Sequence, residues 1–106
     1  MFQLKPNPTF WVTVEIHRPG EGATPLEIEF RHMGTSAALD LAREISAGMP
    51  RDRRLEVLEM IVTGWRGADA EFSTRALRQA AEDFPALASE VMVAYLQELQ
   101  GARRKN

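Results

Sequence analysis

The chain has 106 residues, 44% hydrophobic and 26% charged, with 13 Lys and Arg against 15 Asp and Glu and no cysteine. That length supports one domain with a modest core, and a net charge of -2 offers no basic face to nucleic acid. The lack of cysteine excludes a disulfide framework or a thiolate metal site, and no apolar run approaches the roughly 20 residues that span a bilayer.

At the start, Met1-Phe2-Gln3-Leu4-Lys5-Pro6 has no charged segment followed by an apolar stretch. No secretory signal is expected, and the reading is of a cytosolic domain. Pro6 and Pro8 then favour extended backbone and remove two amide donors. From Phe10 to His17 the chain alternates with period two. Phe10, Val12, Val14 and Ile16 share one face, and Trp11, Thr13, Glu15 and His17 the other. This pattern predicts a half-buried strand. Residues 18–25 are rich in proline and glycine and form a turn-rich connection. A second strand follows, with Leu26, Ile28 and Phe30 alternating against Glu27, Glu29 and Arg31. Pairing even positions with even puts both apolar faces on one side, so a hairpin is predicted over about residues 9–33. Two strands alone are marginal in water, so helices must cover that face, and the ribbon retains at least one open edge that either pairs with another chain or is shielded by loops or residues 2–5.

The helical part is expected over about residues 36–102. Thr35 or Ser36 is a candidate cap for the first helix, with Ala38, Leu41, Ala42 and Ile45 at helical spacing and Gly48-Met49-Pro50 as its stop. A second helix is predicted over 52–62, with Asp52 as a candidate cap and Leu55, Leu58, Ile61 and Val62 on one side. Arg51, Arg53 and Arg54 stand at its start, where the helix dipole disfavours cations; they are either solvated or set against a partner. Trp65 follows between Gly64 and Gly67, with Phe72 and Ser73 closing the stretch. Glycine permits a bend around an indole, which makes this a core-anchoring loop or a partner-binding aromatic site. Ser73 is expected to cap a third helix that buries Leu77, Ala80, Ala81 and Phe84. Pro85 suits the first turn of a fourth.

That last helix carries Leu87, Ala88, Val91, Met92, Tyr95 and Leu99 at helical spacing. It also holds Val91 to Leu96 as six apolar residues in succession. A helix apolar on nearly every side needs cover on nearly every side. It is either the central helix of the core or a surface for a second chain, with Val91, Met92, Val93, Tyr95 and Leu96 as the candidate contact residues. Trp65, Phe72, Ser73, Phe84 and Pro85 are read as structural anchors. Arg103, Arg104 and Lys105 suit a helix C-terminus. The fold class is therefore α+β, an antiparallel hairpin followed by about four helices in a single compact domain over residues 1–106.

No reaction chemistry is legible. His17 and His32 fall on opposite faces of the hairpin and more than about 15 Å apart at strand rise, so they share no ion. Ser36, Ser46, Ser73 and Ser89 lack a nucleophile elbow. Gly20-Glu21-Gly22 lacks the lysine and helix of a phosphate loop, and Glu56 with Glu59 reads as a solvated helix face. A non-enzymatic protein without metal or cofactor is expected.

Several short motifs occur in a fixed order along the chain. They are Asn7-Pro8-Thr9-Phe10, Val12-Thr13-Val14, Pro19-Gly20 and Glu29-Phe30-Arg31-His32, then Val62-x-x-Trp65, Glu71-Phe72-Ser73, Phe84-Pro85, Ala94-Tyr95-Leu96 and the ending Ala102 to Asn106. In order and spacing the chain resembles the tail assembly chaperones of long-tailed bacteriophages and prophages, over essentially its whole length. It departs at Phe84-Pro85, where the family pattern has tyrosine before proline. The resemblance implies a non-catalytic protein of the host bacterial cytoplasm that binds the tape measure protein, keeps it soluble, helps recruit tail tube subunits and is absent from the virion. A homo-oligomer is consistent with that role, and neither nucleic acid nor membrane is an expected partner. Many relatives also have a longer frameshifted form, and Lys105-Asn106 can be encoded by the slippery AAA-AAC. Two other readings stay open: a minor tail or connector protein retained in the virion, and a small prophage regulatory DNA-binding protein.

Overall fold

The alternation between Phe10 and Phe30 builds the spine of the molecule. In a computed structural model, which describes residues 1–101, β1 (Thr9–Arg18) and β2 (Gly22–Arg31) pair antiparallel. Phe10 lies opposite Phe30, Val12 opposite Ile28 and Val14 opposite Leu26. Even positions meet even positions, so one face carries the apolar side chains, and Val12, Val14, Ile16, Ile28 and Phe30 are buried. The strands run further into the predicted connection than the prolines suggest. The turn is confined to Pro19, Gly20 and Glu21, with Gly20 and Gly22 at φ 81° and 79°, and the Glu21 N–H donates to the Arg18 carbonyl at 2.9 Å. Pro25 is tolerated inside β2 because the third strand pairs only from Glu27 onward, leaving no strand on that side to need its amide.

That third strand, β3 (Val62–Arg66), pairs antiparallel with β2 and makes the sheet order β1-β2-β3. Val62, expected on the second helix, instead opens this strand directly after it. The reason is local and tertiary together: Val62 and Thr63 are β-branched, Trp65 is aromatic, and β2 offers them an unpaired edge. Gly64 faces Glu29 across the pair, where a Cβ would lie 3.3 Å from the Glu29 carboxylate. Its role is therefore room, and the bend comes from Gly67, at φ 89°.

Among the described residues four helices follow the hairpin: α1 (Thr35–Ala47), α2 (Arg51–Ile61), α3 (Thr74–Asp83) and α4 (Leu87–Leu99). Their caps differ from expectation in three places. Gly34 precedes α1 without a side-chain bond, so Thr35 and Ser36 lie inside the helix. Pro50 precedes α2, and Asp52 sits in its first turn, where a carboxylate favours the dipole without capping. Pro85 lies in the turn before α4, whose cap is Ala86. Ser73 does cap α3, its Oγ accepting the Ala76 N–H at 2.9 Å. Ser73→Ala is expected to lower stability by about 1 kcal/mol, read as a shift in urea midpoint, with Ser73→Asp restoring most of it.

α4 lies on the inner face of β1 and is also packed by α1, α2 and α3. Tyr95 is fully buried at the centre, its ring 4.9 Å from Phe30 and 6.0 Å from Phe10. Its hydroxyl donates to the Arg31 carbonyl at 2.6 Å, so the buried polar atom is satisfied. Burial disfavours the phenolate and pushes Tyr95 from 10.0 up to about 12. A folded-state value above the unfolded one means full stabilisation below pH 10, lost as pH rises toward about 12. Tyr95 is the single tyrosine, so phenolate absorbance reads it alone. Ionisation should come well above 10 and together with loss of structure; a midpoint near 10 in a folded protein would contradict this placement.

Among the described residues, no helix is long and apolar enough to cross a membrane. The basic ending Arg103 to Asn106 and the last position of the expected helical part, Ala102, lie outside the described residues.

Candidate partner-binding surface

Helical phase divides the apolar run on α4 into core and surface. Val91, Met92 and Tyr95 are 0%, 2% and 0% exposed, whereas Val93 is 47% exposed. Three of the five candidate contact residues are thus buried in this fold, with Met92 lining the floor of a groove beside Val93. The sheet covers one side of α4 and the other helices cover most of the rest, so the width of the apolar arc is spent on the core. Leu96 is half-buried against the core cluster.

Val93 forms a ridge between two shallow grooves. One, of about 560 Å³, is bounded by Ile45, Met49 and Pro50 at the α1–α2 junction, with Arg54 at its rim. The other, of about 370 Å³, runs toward the β1 edge past Val14, Glu15, Glu90 and Ala94. The junction is held open by Gly48, at φ 96°, and by Arg54, whose guanidinium donates to the Met49 carbonyl at 3.0 Å. On the opposite side, the Glu90 carboxylate accepts the His17 backbone N–H at 2.9 Å, closing the β1 edge at that point. The ridge therefore offers an apolar contact with a cation on one flank and carboxylates on the other. An apolar crest between charged flanks is an arrangement that a second chain can cover.

The aromatic stretch forms a separate feature. Trp65 projects from β3 and is half-buried; its indole N–H donates to the Ala70 carbonyl at 2.9 Å, and Phe72 meets it edge to face at 5.2 Å. Both pack against the core cluster, so the pair ties the turn to the body. Phe84, at the end of α3, is half-buried with the Arg18 guanidinium 5.4 Å above its ring, while Pro85 is exposed. Between the hairpin turn, Trp65 and α3 lies a third groove of about 610 Å³. Sequence spacing gave no hint of it, because its walls come from residues some forty positions apart that only the β2–β3 register brings together.

Two of the three arginines that open α2 are paired with carboxylates, and the third, Arg54, donates to the Met49 carbonyl. Arg53 pairs with Glu44 and Glu56, and Arg51 with Glu82. Hydrogen bonding from Arg53 holds the Glu44 carboxyl below the usual range, and the Glu44 and Glu56 carboxylates raise the Arg53 guanidinium further. These pairs are exposed and contribute little to stability individually. Among the described residues no group of three His, Asp or Glu gathers to hold a metal ion.

Compared with known proteins, the chain matches the family model for the phage tail assembly chaperone over residues 1–106. No curated protein and no solved structure matches it.

Proposed function

The chain belongs to the phage tail assembly chaperone family, since that family's model covers its whole length, and from this we propose that it binds the tape measure protein in the host cytoplasm. In this reading it keeps that long client soluble, helps recruit tail tube subunits around it, and leaves before the virion is complete. Its action is non-catalytic and needs no cofactor. The observation that carries the reading, beside family membership, is the Val93 ridge, an apolar contact 47% exposed and flanked by two grooves. Apolar surface displayed in this way has a favourable use when another chain covers it. Self-association offers a second cover for exposed apolar side chains when no client is bound.

Composition of particles and intermediates tests the role. Mass spectrometry of purified assembly intermediates and finished virions should find this protein with the tape measure protein in the former and absent from the latter. Stoichiometric recovery from finished virions would instead support a minor tail or connector protein.

A further inference from the structure

Residues 1–7 are exposed throughout, and the chain joins the sheet at Pro8, whose carbonyl accepts the His32 N–H at 2.9 Å. Phe2 and Leu4 are 84% and 90% exposed, and Lys5 makes no ion pair among the described residues. Pro6 and Pro8 prevent this segment from folding back as a helix. Among the described residues nothing covers these two large apolar side chains.

The groove of about 610 Å³ beside Trp65 has the opposite character. Leu26, Trp65, Ala80 and Phe84 give it apolar walls, and Asp69 and Asp83 place two carboxylates at its edge. Neither Asp69 nor Asp83 is in an ion pair among the described residues, although the Gln79 amide donates to Asp83 at 3.0 Å. Arg18, the cation at the same edge, is already engaged by Glu21 at 3.6 Å and lies over Phe84. An apolar segment followed by a lysine complements this groove in both shape and charge.

We propose that the Phe2–Lys5 segment of one copy docks in this groove on a second copy, with Phe2 and Leu4 against the apolar walls and Lys5 near Asp69 and Asp83. Phe2 and Leu4 are exposed in their own copy and are not among the residues that line its groove, so the occupant is the arm of a second copy. Arm and groove occupy different places on the molecule, so the contact is head to tail and each copy can both give and receive an arm. This inference deepens the self-association part of the proposed function and is independent of the client.

Light scattering on the full chain alone, over a range of concentrations, tests it. The wild type should gain mass with concentration. Phe2→Asp with Leu4→Asp should raise the apparent dissociation constant about a hundredfold or more, with an unchanged melting temperature because both positions are exposed. Lys5→Glu, and separately Asp69→Lys with Asp83→Lys, should each weaken association about tenfold, and combining them should restore it. An arm variant mixed with a groove variant should form a pair that does not grow. A wild type that is monomeric throughout, variants that assemble like the wild type, or a charge swap that fails to restore assembly would each overturn the proposal. Because no client is present, these results do not depend on tape measure binding.

Discussion

Replacing Phe30 with alanine is expected to remove about 3–5 kcal/mol of stability, the largest effect of any single substitution considered. Phe30 is 0% exposed, stands on the central strand of the sheet, and touches both Phe10 and Tyr95, with ring centroids at 5.9 and 4.9 Å. Deleting its ring loses the transfer energy of the aromatic group and leaves a cavity that three neighbouring elements cannot close without moving β2. A domain of this size holds only about 5–15 kcal/mol in total, so the variant should be substantially unfolded or melt far below the wild type. Urea unfolding followed by circular dichroism reads this directly. A loss under about 1 kcal/mol would mean that the Phe10–Phe30–Tyr95 cluster is not the centre of the core.

Val93→Glu is expected to do the reverse, sparing the fold and removing the function. Val93 is 47% exposed, so a carboxylate there stays in water in the free protein, and stability should change by about 0.5 kcal/mol or less. When a client covers the ridge, that carboxylate must be desolvated without a partner, at a cost of several kcal/mol. Arg54, at the edge of the neighbouring groove, already donates to the Met49 carbonyl. Co-purification with the tape measure protein should fall about tenfold or more, since 1.4 kcal/mol already accounts for one factor of ten. Unchanged melting with lost binding assigns the ridge to the client. Unchanged binding assigns the client to another surface.

How far the sequence revealed this arrangement depended on whether a feature was periodic. The hairpin register follows from alternation alone, since a one-residue slip would expose Val12, Val14, Ile28 and Phe30 together. The Ser73 cap was legible for a similar reason, because the residue precedes an apolar helical pattern. β3 was hidden because five residues with a central glycine give too short a period to read, and because what makes Val62–Arg66 a strand is the open edge of β2. On α4, composition announced a helix apolar on most sides, but which residue faces water was decided by neighbours. The sheet, α1, α2 and α3 cover Val91, Met92 and Tyr95 and leave Val93 exposed. The groove beside Trp65 could not be read at all, as it joins the hairpin turn to α3 across the β2–β3 pairing.

Co-expression with the tape measure protein encoded by the same phage or prophage tests the central claim most directly. The soluble fraction of the tape measure protein, separated by centrifugation and measured with and without this chain, is the quantity to follow. The proposed function predicts that the tape measure protein is largely insoluble alone, becomes soluble with the wild-type chain and co-purifies with it, and returns to the pellet with Val93→Glu. A tape measure protein whose solubility is the same with and without the wild-type chain would contradict the chaperone role proposed for it.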